Sequence, residues 1–272
     1  MSAVEISVAA RPVSAPLSTQ VGFLARRSFL RVMRQPGQFV FPLVFPLLLM
    51  IINSAGLSRA DELPGFPGAT YMDFWIANTF IFGAVNLATI AGSNMAVDIE
   101  DGFLNRLSLT PLSRSALLSG HLLGIVGVSL LNGVVYLIVG LALGVEPDAG
   151  LLGVPVILAF AALAALFFGG FGTYLALRLG SSEAVEGMFP LFFVMLFLSS
   201  SNFPRSLMTV GWFKLIATIN PISYVIEAIR SLFITGWDAQ ALGRGFAVIV
   251  PLAVLTVALS AGAARTRLER GA

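Results

Sequence analysis

Long apolar segments alternate with short polar ones along most of the chain. A bilayer core needs ~20 mostly apolar residues per spanning helix. Segments of about this length predict six membrane spans at 39–57, 73–97, 116–145, 151–178, 186–201 and 243–264. The fifth is short and contains Pro190, so we expect it to pack among other helices rather than stand alone in lipid. The pattern predicts an all-α membrane protein with six transmembrane helices.

The N-terminal region divides into two parts. Residues 1–16 are small and Pro-containing and predict a disordered tail. Residues 17–37 place apolar side chains at helical spacing on one face and four arginines on the other, Arg26, Arg27, Arg31 and Arg34. A positively charged flank of the first span is the simpler alternative. The spacing favours an amphipathic helix in the membrane interface, followed by a transmembrane domain over 38–272.

The connection between the fifth and sixth spans is too apolar for an ordinary exposed loop. Asn220 and Pro221 predict a helix N-cap followed by proline at the first helical position. The helix would have ~14 residues and a length of ~21 Å, too short to span. We therefore predict a re-entrant or interfacial helical hairpin, in which Glu227 and Arg230 are close enough in sequence to pair.

Composition supports membrane insertion and narrows the chemistry. The 272 residues are 57% hydrophobic and 11% charged, whereas soluble domains have about 25% charged residues. There is no Cys, and the single histidine, His121, lies among apolar residues, so we expect a packing role and no metal site. The sequence contains no P-loop and no hydrolase or zinc motif, and therefore offers no catalytic residue.

Charge distribution predicts the orientation. Most of the 16 Lys and Arg residues fall in the two termini and in the loops on the same side of the predicted spans. Positively charged loops stay in the cytoplasm, so both termini are expected there. The basic pI of about 9.4 is explained by these arginines and requires no nucleic-acid partner; membrane lipids are the expected surroundings.

Four uncharged polar residues lie inside the first two predicted spans. Asn53 lies near the end of the first, and Thr79, Asn86 and Ser93 follow at intervals of seven in the second, roughly on one helical face. They could face a transport path, or they could form interhelical hydrogen bonds worth ~0.6 kcal/mol each. We give these two interpretations equal weight. A path with so few charges would suit an amphipathic or lipid-like substrate better than an ion.

The segment "DIEDGFLNRLSLTPLSR" separates the second and third spans. Three acids at its start would complement the positive end of a short helix, leucines follow at helical spacing, and a proline ends the element. The residues concerned are Asp98, Glu100, Asp101, Gly102, Leu104, Arg106, Leu107, Pro111 and Arg114. Such a helix, joined to two spans, could fit a groove on a cytoplasmic partner. A solvated loop is the alternative.

With the residues that follow it, this segment resembles the signature of the ABC-2 type transport permeases. The matching residues are Glu100, Gly102, Arg106, Leu107, Thr110, Pro111, Arg114 and Gly120. The Asn220–Pro221 pair before an amphipathic helix is similar to a second feature of that family. The resemblance covers the chain from the Arg-rich helix to the sixth span.

The resemblance implies a membrane subunit of an ABC exporter of the daunorubicin-resistance or polysaccharide-export kind, in a bacterial inner membrane. The segment 98–114 would be the coupling helix, docked on a separate ATP-binding subunit present in two copies. ATP and Mg would be bound by that partner, with no cofactor in this chain. The path would run between two permease chains, identical or homologous, and spans one, two and five would line it.

Two other functional classes stay open at this point. One is a self-sufficient secondary transporter or channel, which would commonly show buried charges or paired broken helices at mid-membrane. The other is a membrane-embedded lipid-modifying enzyme, which would need acids, His or Ser clustered near an interface. The sequence names neither the substrate nor the direction of transport.

Overall fold

The structure is a computed structural model that describes residues 15–68, 70–103 and 113–270. Within these residues every regular element is helical. In chain order they are α1 (Leu17–Met33), α2 (Pro36–Gly56), α3 (Tyr71–Glu100), α4 (Arg114–Ala142), α5 (Gly153–Leu179), α6 (Ser182–Glu186), α7 (Phe189–Phe197), α8 (Gly211–Ile219), α9 (Pro221–Ile234) and α10 (Ala239–Arg270), with 3₁₀ turns at Ser58–Glu62 and Arg205–Leu207. The predicted tail lies almost wholly outside the described residues.

Helix α3 is the centre of the bundle. A capping box starts it, since the Thr70 hydroxyl accepts from the Asp73 N–H and Asp73 accepts from the Thr70 N–H. Gly102, with φ of +66°, ends it in the left-handed conformation that glycine adopts without strain. From Phe74 to Ala96 only the side chain of Thr89 is partly exposed. A mostly apolar helix without a solvated face is stable only when others surround it, here α2, α4, α5 and α9.

Small residues let the helices approach closely at two crossings. A Cβ on Gly172 of α5 would collide with the carbonyl of Ala88 in α3. A Cβ on Gly124 of α4 would lie 2.5 Å from the Cβ of Ser28 in α1. Close backbone contact replaces side-chain interdigitation at both crossings. Helix α1 is thereby packed onto α4.

Five of the described helices are long and apolar enough to cross a membrane: α2, α3, α4, α5 and α10. They coincide with predicted spans one to four and six within a few residues. The predicted fifth span, 186–201, is not one continuous helix. Its regular part is α7, with nine residues and Pro190 in the first turn, or ~14 Å of helix.

The interruption before α7 is small. Gly187 and Met188 keep right-handed helical dihedrals, with φ/ψ of −60°/−17° and −84°/−14°. The five-residue helix α6 precedes them. The chain from Ser182 to Phe197 therefore follows an almost helical course broken once, where Pro190 withholds a backbone donor.

Helix α9 matches the prediction closely. It has 14 residues, Pro221 is its first residue, and the side chain of Asn220 accepts the Ile222 N–H at 3.0 Å. Its apolar stripe is fully buried against α3 and α10: Ile222, Val225, Ile226, Ile229 and Phe233. The preceding α8 exposes Trp212, Leu215 and Ile219 instead.

Candidate functional site

A buried ion cluster joins α1 to the end of α3. Asp98 lies on the last turn of α3, and its side chain is only 8% exposed. Arg27 donates to both of its carboxylate oxygens, at 3.0 and 2.9 Å, and Arg31 donates to one of them at 2.7 Å. Two guanidinium groups thus satisfy one carboxylate, and the bidentate geometry fixes how α1 is oriented on α3.

The four arginines therefore divide into two pairs. Arg27 and Arg31 form ion pairs with Asp98 of α3, whereas Arg26 and Arg34 are exposed and belong to none of the ion pairs among the described residues. Helix α1 lies within the segment 17–37 that was predicted to be an amphipathic helix, but its arginine face is not wholly solvated. Because Asp98 was predicted as part of the docking surface, its burial is a correction: it binds α1 within the chain.

Helix α1 also contacts both ends of the segment 98–114. At the start, the Arg27 guanidinium lies over the ring of Phe103, 4.1 Å from its centroid. At the end, the Gln20 side chain accepts the backbone N–H of Ser113 at 3.0 Å. The α1 helix thereby holds the points where this segment leaves α3 and enters α4.

Glu100 faces a different neighbour. Its carboxylate accepts the backbone N–H of Ser182 at 3.1 Å and the Ser182 hydroxyl at 3.0 Å. These bonds connect the end of α3 to the start of α6. Asp101 is the C-cap of α3, its N–H donating to the Val97 carbonyl at 2.9 Å. The three acids thus lie on the last turn and at the C-cap of α3, where Asp98 and Glu100 bind α1 and α6.

Several predicted coupling residues lie outside the described part of the chain: Leu104, Arg106, Leu107 and Pro111. Arg114 begins α4. The placement of these residues on a docking surface stays a prediction.

A cavity of about 340 Å³ opens between α2, α3 and the α6–α7 segment. Its lining residues are Gly37, Gln38, Phe41, Pro42, Asn86, Thr89, Ile90, Ser93, Glu186 and Phe189. Two of the predicted path residues, Asn86 and Ser93, lie here together. Asn86 also donates to the Phe82 carbonyl one turn earlier, at 2.8 Å, and Ser93 donates to Glu186 at 3.3 Å.

The other two predicted path residues do not line this cavity. Thr79 is fully buried in α3, and its hydroxyl has no hydrogen-bond partner among the described residues. Asn53 donates to the Leu49 carbonyl within α2, at 2.8 Å. Thr79 precedes Asn86 by ~10 Å of helix and therefore lies at another level of the bundle, beyond the end of the cavity.

Sequence reasoning missed Glu186 and Gln38. Glu186 was the first residue of a predicted span, and an acid at a span boundary could have indicated a polar opening there. Gln38 accepts from the Asn94 side chain at 3.1 Å, and nothing in the sequence pairs these two residues, which are 56 apart.

At the opposite end of the bundle, the predicted pairing of Glu227 with Arg230 is wrong. Glu227 binds Arg205, whose Nε donates to it at 2.7 Å. Burial alone would lower the pKa of Arg205, but the hydrogen bond and charge of Glu227 raise it above its ordinary value. Arg230 is buried and donates to the carbonyls of Phe74 and Ser200, at 2.9 and 3.0 Å. Because α9 packs against α3, Arg230 points into the helix bundle, whereas Glu227 lies at the edge of the bundle.

No group of three or more metal-ligating side chains exists in the described ranges. His121 is buried, and its Nε2 lies 3.1 Å from the Ala91 carbonyl. This matches the expected packing role.

These features define a polytopic helical membrane protein with a cavity beside its central helix and a helix held across one end by ion pairs. The sequence model of the ABC-2 type transporter family matches residues 19–234, and the chain belongs to this family. It is an integral membrane protein and a transport permease.

Individual relatives agree with this assignment. The chain is 29% identical over 216 residues to a putative transport permease ycf38 of Cyanophora paradoxa, covering 77% of this chain and 72% of that protein. It is 27% identical over 197 residues to the daunorubicin resistance ABC transporter permease protein DrrB1 of Streptomyces coeruleorubidus, covering 71% and 66%. A putative transport permease ycf38 of Pyropia yezoensis is 26% identical over 275 residues, covering 93% and 91%.

Proposed function

We propose that this chain is the permease subunit of an ATP-driven exporter that moves an amphipathic, lipid-like or drug-like substrate. The observation that supports this most directly is the contact of α1 with both ends of the segment 98–114. A segment that receives force from an ATPase must transmit it to the spans, and contacts that fix both of its ends on α1 reduce the motion lost in the connections. The Asp98 ion pairs and the Gln20–Ser113 bond provide a stiff attachment.

In this proposal the part of the segment between the end of α3 and the start of α4 contains the coupling helix, which docks on a separate ATP-binding subunit, while Asp98 holds α1. Two such subunits, each binding ATP and Mg, serve two permease chains, identical or homologous. ATP binding closes the ATPase dimer and moves the coupling helices. Because Glu100 is bonded to Ser182, the motion also reaches the α6–α7 segment.

The cavity beside α3 is the part of the substrate path that we propose for this chain. It is lined by α2, α3 and α6–α7, which correspond to predicted spans one, two and five. We propose that α6 and α7 together form the fifth of six spans, with its interruption beside the cavity. The α8–α9 hairpin is proposed to be re-entrant and to close the path at its outer end.

In the proposed orientation, α1 and both termini lie on the cytoplasmic side of a bacterial inner membrane. The support is the excess of arginines at that end of the bundle. In this orientation the cavity opens near the inner leaflet, where an amphipathic substrate would enter.

Affinity purification of the full-length chain from its native membrane in mild detergent tests the proposal. A stoichiometric ATP-binding subunit is expected with the wild type and is expected to be lost with Leu107→Asp, since a charge in an apolar docking face opposes association. Arg26→Gln is the matched control, because this exposed arginine lies outside the predicted docking segment and outside the ion cluster.

Two outcomes would contradict the proposal. Folded wild-type protein that brings no ATPase under several detergents, yet catalyses flux driven by a proton gradient alone, would indicate a self-sufficient transporter. Retention of the ATPase by Leu107→Asp would refute the assignment of the coupling helix.

A further inference from the structure

We propose that Glu186 makes the cavity beside α3 selective for cationic amphipathic molecules. This inference rests on the proposed function, because it specifies the substrate class of the same cavity.

The charge of the cavity lining comes from a single residue. The other polar side chains are neutral: Gln38, Asn86, Thr89 and Ser93. Among the residues that the structure describes, Glu186 is the one ionisable residue in the lining, and no lysine or arginine borders the cavity. The cavity therefore has a net negative character that would attract cations and repel anions.

The carboxylate of Glu186 is largely unused by the described residues. It accepts one hydrogen bond, from Ser93 at 3.3 Å, and belongs to none of the ion pairs in the described ranges. A carboxylate has about four acceptor positions. Asp98, little more than one turn beyond Ser93 on α3, is by contrast neutralised by two guanidinium groups.

The rest of the lining fits an apolar or aromatic body. Phe41 and Pro42 of α2 and Phe189 of α7 border the cavity, and Phe41 is half exposed on the outer surface of α2. Aromatic faces attract cations as well as apolar groups. A volume of about 340 Å³ lies at the lower end of the range for small-molecule sites, ~300–1,000 Å³.

The position of the carboxylate matches how amphipathic cations lie in a membrane. Glu186 accepts from Ser93, and Asn86 lies about two turns farther along α3 toward the middle of the bundle. A molecule with its cationic group at Glu186 would extend its apolar part toward Phe41 and Phe189. The lining thus offers a charged end and an apolar end in the order that such a molecule presents on entering from a leaflet.

Binding of tritiated tetraphenylphosphonium to the full-length chain in phosphatidylcholine nanodiscs tests this inference. Binding to empty nanodiscs is subtracted. Glu186→Gln is expected to weaken binding of this cation roughly tenfold, the factor that 1.4 kcal/mol represents. The amide retains an oxygen that can accept from Ser93, so the fold should be unchanged. Competition by the neutral triphenylphosphine oxide is expected to be equal in both proteins.

Glu183→Gln is the matched control, because it removes the same charge from the same short helix at an exposed position outside the lining. It should bind tetraphenylphosphonium like the wild type. The inference is overturned if the wild type shows no saturable binding, if Glu186→Gln binds equally well, or if Glu183→Gln loses as much affinity. The assay needs neither ATP nor a partner, so its failure is separate from failure to co-purify an ATPase.

Discussion

At the scale of single residues, the charged groups of this protein fall into two physical classes. Asp98 and Arg230 are buried, and each is satisfied by several partners. Glu186 and Arg26 are exposed and make few described contacts. Burying a charge is tolerated only when it is paired or fully hydrogen-bonded. The first class therefore determines stability, whereas the second is available for function.

Asp98→Asn should lower stability because it leaves two guanidinium groups without their shared carboxylate. We expect a loss of ~1–3 kcal/mol, less than for a fully buried pair because Arg27 is 39% exposed. Arg31→Gln should cost less, and Arg26→Gln almost nothing. Thermal unfolding in detergent, monitored by size-exclusion chromatography, measures the order of the unfolding midpoints. Equal midpoints for Asp98→Asn and Arg26→Gln would contradict the ion cluster's role.

Arg230→Lys should also destabilise the protein, although the charge is kept. The guanidinium donates from separate nitrogens to the Phe74 and Ser200 carbonyls, and a lysine amine cannot reproduce this planar geometry. One or more buried carbonyls would lose a partner, at ~1–3 kcal/mol each. Arg244→Lys, at an exposed position of α10, is the control in the same unfolding assay. A midpoint unchanged in Arg230→Lys would show that water replaces these bonds.

At the scale of elements, the contact between α1 and α4 depends on glycine. Gly124→Val would force its side chain into Ser28 and the Ala25 carbonyl and should displace α1. Trypsin cleavage within the arginine-rich α1 is the readout, and a rise of several-fold in the cleavage rate is expected, since cleavage follows the population of the opened state. Gly22→Ala, with open space around its Cβ, should cleave no faster than wild type. Unchanged cleavage in Gly124→Val would mean that α1 is held by its ion pairs alone.

Elements whose stability is local were predictable from the sequence. Asn220 and Pro221 define the start of α9 through cap chemistry that involves only neighbouring residues. The interruption between α6 and α7 was not predictable, because an apolar run with one proline also suits a continuous packed helix. The direction of Arg230 depends on α9 packing against α3, and the spacing of Glu227 and Arg230 contains no information about that contact.

In the candidate site, too, only relations between residues on one helix were predictable from the sequence. Asn86 and Ser93 share a cavity because both lie on α3, so their relation is encoded in one helix. Glu186 and Gln38 come from segments almost 150 residues apart, and only tertiary packing brings them together. The Arg27–Asp98 pair spans 71 residues. The arginines were identified from sequence, but their partner was assigned to a docking surface.

At the scale of the whole molecule, α3 connects the two ends of the bundle. Arg230 holds the carbonyl of Phe74 near its start, and Arg27, Arg31 and Ser182 are bonded to acids at its end. About 24 residues, or ~36 Å of helix, separate these points. Because α3 is buried along most of its length, it can transmit displacement with little bending. We therefore expect motion of the proposed coupling segment to reach both the cavity and the outer hairpin.

The bond between Glu100 and Ser182 gives the sharpest test of this connection. If it transmits motion from the end of α3 to α6, then Glu100→Ala and Ser182→Ala impair the same step. We expect Glu100→Ala to slow ATP-driven transport ~3–10-fold and Ser182→Ala less, because its backbone N–H remains as a donor. The double variant should resemble Glu100→Ala alone, since residues in contact are non-additive.

Transport in proteoliposomes containing the co-purified ATPase measures these rates, with Glu183→Gln as the control for loss of an acid from α6. Losses that multiply in the double variant would mean that Glu100 and Ser182 act independently. In that case Glu100 would act outside the chain, on the ATP-binding subunit, and the motion would have to reach the cavity through Asp98 and α1 instead.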